Sequence, residues 1–184
     1  EARVMLSNSM IIRDAELAFT QNVPPHRTLC NRGANGIDGI ISTSLGASVG
    51  SKEKVICLVG DVAATHDFGG MLASISMEAE MTIVILDNGG GGIFSFLPIS
   101  AAISEEQFDK YFLTSPMLPF ADVLKSLRAD VSTPQTIKEL KAEIKKTMPK
   151  SGLSVIYYQS DTDSTLRAFR SIRDAFDQEF GQEV

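Results

Sequence analysis

The chain has 184 residues, 43% of them hydrophobic and 22% charged, with a formal net charge of −6. That size and balance suit one globular domain, and an acidic chain without a basic stripe excludes nucleic acid as the expected partner in favour of small molecules or another protein. No apolar run reaches membrane-spanning length and no signal-peptide pattern is visible, so no membrane span is expected. Cys30 and Cys57 each fall in a stretch that reads as a buried strand. Two such cysteines read as free thiols of a reducing, cytoplasmic compartment, with a disulfide or metal pair as the lesser alternative.

In chain order, Arg3–Leu6 is an apolar run that ends at Ser7-Asn8-Ser9, as a strand feeding a loop does. Ile11–Thr20 reads as a short helix with Asp14 and Glu16 near its start. Val23-Pro24-Pro25-His26 reads as a linker, because the prolines forbid regular structure, and His26 is expected to be exposed. Thr28–Cys30 reads as a strand, Asn31–Gly39 as a turn rich in Gly and Asn, and Ile40–Val49 as a buried helix. Lys54–Val59 and Met81–Leu86 are continuous apolar runs, as expected for strands covered on both faces. Phe68–Ala79 between them reads as a helix. Roughly 25 mixed residues with Phe94, Phe96, Pro98 and Tyr111 then read as a long functional loop. Phe120–Leu127 and Thr136–Met148 read as helices, Leu153–Gln159 as a last strand, and Ser164–Phe180 as a terminal amphipathic helix. Strand and helix alternate throughout. The pattern predicts a doubly wound α/β fold, with a mainly parallel sheet and helices on both faces.

Two of the buried strands end in polar, glycine-rich turns, Val59-Gly60-Asp61 and Leu86-Asp87-Asn88-Gly89-Gly90. One strand–helix–strand crossover fits between Asp61 and Asn88, so both are expected at the carboxyl edge of the sheet, where open α/β folds bind ligands. A carboxylate, an amide oxygen and a backbone carbonyl form a hard, all-oxygen donor set suited to Mg2+ or Ca2+ with phosphate as co-ligand. Glycines let the backbone approach phosphate closely. Gly-Asp alone would read as a helix cap. Gly-Asp, a crossover and Asn-Gly-Gly together favour a metal–diphosphate site.

Gly60-Asp61, followed after one crossover by Asn88, resembles the thiamine-diphosphate motif. The resemblance implies a metal ion, Mg2+ or Mn2+, held by Asp61, Asn88 and the Gly90 carbonyl, with Gly60 and Val62 beside the diphosphate. Val62 stands where the family usually has a third glycine, and Asp87 where it usually has a first asparagine. Three further segments, Asn8–Arg13, Asn31–Gly39 and Gly90–Pro98, resemble in order and spacing one branch of that family. It is the menaquinone-pathway 2-succinyl-5-enolpyruvyl-6-hydroxy-3-cyclohexene-1-carboxylate synthases. The similarity runs from about Ser7 to Pro98.

The resemblance implies that residues 1–184 are one diphosphate-binding domain, the C-terminal third of a longer multidomain enzyme working as a homodimer or homotetramer. The implied reaction is a C–C bond-forming transfer: 2-oxoglutarate is decarboxylated on thiamine diphosphate, and the succinyl semialdehyde carbanion equivalent adds to isochorismate. Arg13 and Arg32 match the family's substrate arginines, whose planar guanidinium groups suit carboxylates. Ordinary surface ion pairs are the alternative. Asn8 and Ser9 match a loop lining the same pocket, though either could cap the following helix. Gly36 and Ile37 match the segment against the bent cofactor, and Ile93 and Phe94 an apolar wall beside the thiazolium ring. No catalytic side chain is expected within the chain, because the cofactor carries the chemistry. His66 and Asn35 receive no role. The glutamate that activates the aminopyrimidine comes, in the family, from the N-terminal pyrimidine-binding domain of a partner subunit. Other readings are a different thiamine-diphosphate decarboxylase or acetolactate-type synthase, or a non-catalytic binding module.

Overall fold

The computed structural model describes residues 2–18, 27–116, 118–160 and 162–181. In chain order the elements are β1 (Ala2–Leu6), α1 (Met10–Ala18), β2 (Thr28–Cys30), α2 (Ile40–Ser51), β3 (Lys54–Gly60), α3 (Asp61–His66), α4 (Phe68–Ser76) and β4 (Met81–Asp87). A 3-10 turn (Gly92–Phe96), α5 (Ile99–Ala102), α6 (Glu105–Phe108) and a π-helical turn (Asp109–Leu113) follow. The chain then runs through α7 (Phe120–Ser126), β5 (Asp130–Ser132), α8 (Ile137–Thr147), β6 (Leu153–Gln159) and α9 (Thr162–Phe180). The strands form one all-parallel sheet in the order β2-β1-β3-β4-β6-β5.

The period of two along each strand sorts the side chains onto two faces. Val55, Cys57 and Val59 join Met5, Met81, Ile83 and Ile85 in the larger core, under Ile40, Ile41 and Leu45 of α2, Met71 of α4, and Phe120 and Leu124 of α7. Leu58, next to them in sequence, points the other way. There it joins Leu6, Val4 and Leu86 beneath Ile11 and Ala15 of α1. Both faces are covered, which is why β3 and β4 read as continuous apolar runs.

The expected helix Phe68–Ala79 is α4, which ends at Ser76, and a separate helix that the sequence did not announce, α3, precedes it from Asp61 itself. Asp67 causes the break between them. Its backbone leaves helical geometry (φ −115°, ψ 34°), and its carboxylate accepts hydrogen bonds from the Ser42 backbone N–H (2.6 Å) and hydroxyl (2.7 Å). That bond draws α2 against α4 at Gly70, where a Cβ would lie 2.5 Å from Ser42 Oγ.

The expected long loop after β4 is largely helical. A capping box between Ser104 and Gln107 starts α6, and Phe112 packs edge-on against Phe94 and stacks on Phe108. β5 was not expected from the sequence; three residues on the sheet edge carry too little pattern to register. Cys30 is exposed, contrary to expectation, because β2 is a three-residue edge strand, whereas Cys57 is buried. The expected Val23–His26 linker and the end of the Ile11–Thr20 helix lie outside the described residues.

Candidate functional site

The chain leaves β1 for β2 on one side and returns through α2 to β3 on the other, so strand order reverses between β1 and β3. Ligands in open α/β sheets bind outside the carboxyl ends at such a switch point. Here the ends of β1, β3, β4 and β6 open on a cavity of about 520 Å3. Ser7–Ile11, Gly60–Ala63, Asn88 and Gly90–Phe94 line it, together with Ile37, His66, Tyr158 and Ser160.

Asp61 is 1% exposed at the first position of α3. Its Oδ2 is buried without a hydrogen-bond partner. Burial first, and the negative charge of Asp87 second, push its carboxyl up to about 7. A buried carboxylate oxygen with no donor is costly. A cation bound there would satisfy that oxygen.

Asp87 closes β4. Its Oδ1 accepts the Gly89 backbone N–H (2.8 Å), and its Oδ2 accepts the Tyr157 hydroxyl from β6. Burial, then the Asp87 carboxylate, raises the Tyr157 hydroxyl to about 12. Beyond it Gly89 and Gly90 adopt φ of +80° and +128°, backbone that a side chain would strain. A Cβ on Gly90 would stand 2.2 Å from the Leu113 carbonyl oxygen, which accepts the Gly91 N–H at 2.6 Å. The Gly90 carbonyl accepts the Gly92 N–H (2.9 Å), which leaves its second lone pair for another partner. Asn88 is half-buried on the cavity wall between these turns.

Asn8 is 2% exposed and donates through Nδ2 to the carbonyls of Asn31 (2.9 Å) and Gly36 (2.6 Å). Its Oδ1 accepts a guanidinium N–H of Arg32 (2.7 Å). Asn8 thus clamps the Asn31–Gly36 turn onto the end of β1. Arg13 donates to the Ser9 carbonyl (2.7 Å). Both arginines are exposed and brace the cavity-lining loop rather than line the cavity themselves. Ser9 has φ +67°, unlike the extended backbone of a capping residue. Val62, Ile37, Ile93 and Phe94 reach the cavity, while Gly36 contributes its carbonyl to Asn8. Asn35 is exposed with φ +57°.

Sequence reasoning passed over Ser7, Asp14 and Tyr157. Ser7 Oγ and Asp14 Oδ1 are buried without partners, and both residues line the same cavity. Asp14 follows Met10 and Ile11 at helical spacing, a signal that places it on their face. Tyr157 carries no such signal, since it reads as an ordinary strand residue.

Among the described residues no three His, Cys, Asp or Glu side chains gather to hold a metal ion unaided. A cation here would take one carboxylate, amide and carbonyl oxygens, and oxygens of its ligand. That donor set, the orphaned Asp61 Oδ2 and the glycine-cleared approach at Gly89–Gly90 fit a metal-bound diphosphate. Also among the described residues, no helix is long and apolar enough to cross a membrane.

Residues 15–158 match the family model described as thiamine pyrophosphate enzyme, C-terminal TPP binding domain. The chain belongs to that family. Within it, the chain is 38% identical over 174 residues to 2-succinyl-5-enolpyruvyl-6-hydroxy-3-cyclohexene-1-carboxylate synthase of Bacillus pumilus, covering 95% of this chain and 30% of that protein. It is 40% identical over 156 residues to the synthase of the same name from Listeria monocytogenes, covering 85% of this chain and 26% of that protein. The chain therefore spans less than a third of the curated relatives it matches. Benzoylformate decarboxylase from Polynucleobacter necessarius has a similar fold, with a TM-score of 0.71 and 18% identity over 88% of this chain and 30% of that one. A thiamin diphosphate-dependent enzyme from Mycobacterium smegmatis gives 0.69 at 17% identity, over 87% and 29%. At such identity the likeness is one of fold.

Proposed function

We propose that this chain is the diphosphate-binding domain of a longer, multidomain 2-succinyl-5-enolpyruvyl-6-hydroxy-3-cyclohexene-1-carboxylate synthase. The observation that carries the reading is the buried Asp61 Oδ2, without a hydrogen-bond partner, in the switch-point cavity that Asn88 and Gly90 also line. The identity to synthases of that name over most of the chain supports the particular activity.

In this reading Mg2+ or Mn2+ is held by Asp61, Asn88 and the Gly90 carbonyl, with the diphosphate completing its shell. Bound thiamine diphosphate supplies the electron sink for decarboxylating 2-oxoglutarate and transferring the remaining unit to isochorismate. The chain's own residues position and insulate. Ile37, Ile93 and Phe94 give the cavity apolar walls that exclude water. Asn8 fixes the Asn31–Gly36 turn, and through it Arg32. Arg13 and Arg32 keep further guanidinium donors for substrate carboxylates at the mouth. The aminopyrimidine end belongs to the N-terminal pyrimidine-binding domain of a partner subunit, in a homodimer or homotetramer. A cytoplasmic location is part of the same proposal.

The test is calorimetric titration of thiamine diphosphate into the intact protein with and without Mg2+, beside Asp61→Asn, together with assay of 2-oxoglutarate and isochorismate turnover. Mg2+-dependent binding that disappears in Asp61→Asn is the expected result. Binding that survives unchanged in the variant removes the metal assignment. Full turnover by the 184-residue chain alone would remove the partner-subunit assignment.

A further inference from the structure

We propose that Ser7 and Asp14 form a second polar subsite in the switch-point cavity, one that takes the ring hydroxyl of the acceptor substrate and so sets which way the acceptor lies. The inference rests on the synthase reading above and concerns residues outside the metal's proposed donor set.

Ser7 and Asp14 reach the cavity from the end of β1 and from α1, not from the turns that follow β3 and β4. Ser7 is 0% exposed. Its backbone N–H donates to the Leu58 carbonyl (3.0 Å), which seats it on the sheet, while its Oγ has no hydrogen-bond partner. Asp14 lies one helical turn beyond Met10, and Met10, Ile11 and Asp14 all line the cavity. Asp14 Oδ1 is also buried without a partner. Burial alone raises its carboxyl above the usual carboxylate range, with no cation acting against it. Two such oxygens are costly to a fold that gains no hydrogen bond from them.

An ionised carboxylate can only accept, so its partner must bring an O–H or N–H. The same lining carries Leu86, Ile137, Leu140 and Leu166, and among the described residues it holds no Lys or Arg. That combination suits a hydroxyl on a carbon ring and disfavours a carboxylate, which Asp14 repels. Of the two substrates in the reading above, 2-oxoglutarate has only acceptors at neutral pH. Isochorismate has a hydroxyl, which the product keeps as the 6-hydroxy group of its name. Asp14 and Ser7 therefore select the acceptor rather than the 2-oxo acid. They also turn its carboxylates away from themselves, toward the arginines at the mouth.

The experiment titrates isochorismate into the intact protein loaded with Mg2+ and thiamine diphosphate. Chorismate, an isomer with its hydroxyl on another ring carbon, is titrated separately. 2-Oxoglutarate is left out, so no turnover intervenes. Wild type is compared with Asp14→Asn, Asp14→Leu and Ser7→Ala. Asparagine and leucine both remove the charge, but only asparagine keeps an acceptor. The preference for isochorismate over chorismate should survive in Asp14→Asn, fall about tenfold or more in Asp14→Leu and fall about fivefold in Ser7→Ala. Affinity for thiamine diphosphate with Mg2+ should stay at the wild-type value in all three. The same preference in Asp14→Leu as in Asp14→Asn overturns the inference.

Melting of the ligand-free protein separates binding from structure. Asp14→Leu removes a buried acceptor that has no partner, so it should melt at or above wild type. A lower melting point marks a structural role and overturns the inference. Failure of the underlying reading looks different: wild type then turns over no 2-oxoglutarate with isochorismate, and the subsite falls with it. Wild-type turnover with an unmoved preference in Asp14→Leu removes the subsite alone.

Discussion

Replacing Gly90 with alanine isolates the glycine turn from the rest of the fold. At φ +128° an L-residue sits outside its allowed regions, a strain of about 1–3 kcal/mol. The new Cβ would meet Leu113 O at 2.2 Å, Leu113 C at 3.0 Å and Leu113 Cγ at 3.2 Å. Backbone atoms that close cannot rotate away as a side-chain tip can. The turn and the π-helical segment must part by roughly 1 Å or more to reach ordinary contact at about 3.5 Å. Parting them breaks the 2.6 Å bond from Gly91 N–H to Leu113 O, worth about 1 kcal/mol net. The chain relieves the strain by moving the turn, since the sheet beneath it is unaffected. Gly90→Ala is therefore expected to cost only about 1–3 kcal/mol of global stability in urea titration. Mg2+-dependent cofactor affinity should fall about 100-fold or more, because the Gly90 carbonyl, proposed above as a metal ligand, moves with the turn. Gly89→Ala is the control. It also has positive φ (+80°), but no atom lies within 4 Å of its Cβ. It should lose about 1 kcal/mol and retain most of its affinity. Equal affinities in the two variants, read by calorimetry, would refute the steric argument.

Other consequences are quicker to check. Burial pushes the Cys57 thiol up to about 12, while Cys30 is exposed, so a thiol reagent at neutral pH should modify Cys30 alone in the native protein and both cysteines after unfolding. Glu53 accepts from Arg3 and Arg27, and those bonds hold its carboxyl below the usual 4.5. A depressed folded value gives stability that is present at neutral pH and lost on acidification through the folded value. Glu53→Gln should accordingly melt lower than wild type at pH 7, with the gap closing at acid pH; a gap independent of pH would contradict the ion-pair account. Asn8→Ala leaves the carbonyls of Asn31 and Gly36 without their side-chain donor. It should cost about 2–3 kcal/mol in denaturant titration and speed amide exchange across residues 31–36.

The sheet was legible because its central strands are covered on both faces. Lys54–Val59 and Met81–Leu86 match β3 and β4 to within a residue, and the alternation of elements implied the parallel order. The placing of Asp61 and Asn88 on one cavity was legible because each directly follows such a strand. Short elements were less readable. β5 has three residues, and the helices after β4 are fixed by contacts among Phe94, Phe108 and Phe112 that no local period announces. The break at Asp67 depends on Ser42, 25 residues away in sequence. Cys30 misled for a related reason: its neighbours read as a buried strand, but burial there is decided by sheet order, and β2 falls on the edge.

The pairing of β4 with β6 sets Ile85 opposite Tyr157 and Asp87 opposite Gln159. Tyr157 reaches Asp87 because both residues lie on one face of neighbouring strands, two positions apart. Sliding β6 by one residue would turn Tyr157 to the opposite face, while its neighbours Ile156 and Tyr158 could still fill apolar space. Strand β6 therefore works as a ruler for the turn after β4, although it gives no residue to the proposed metal's donor set. Insertions or deletions between β5 and β6 are tolerable where the extra length is taken up around α8. A single-residue indel within Leu153–Tyr157 would spoil the turn after β4 before it spoiled the core.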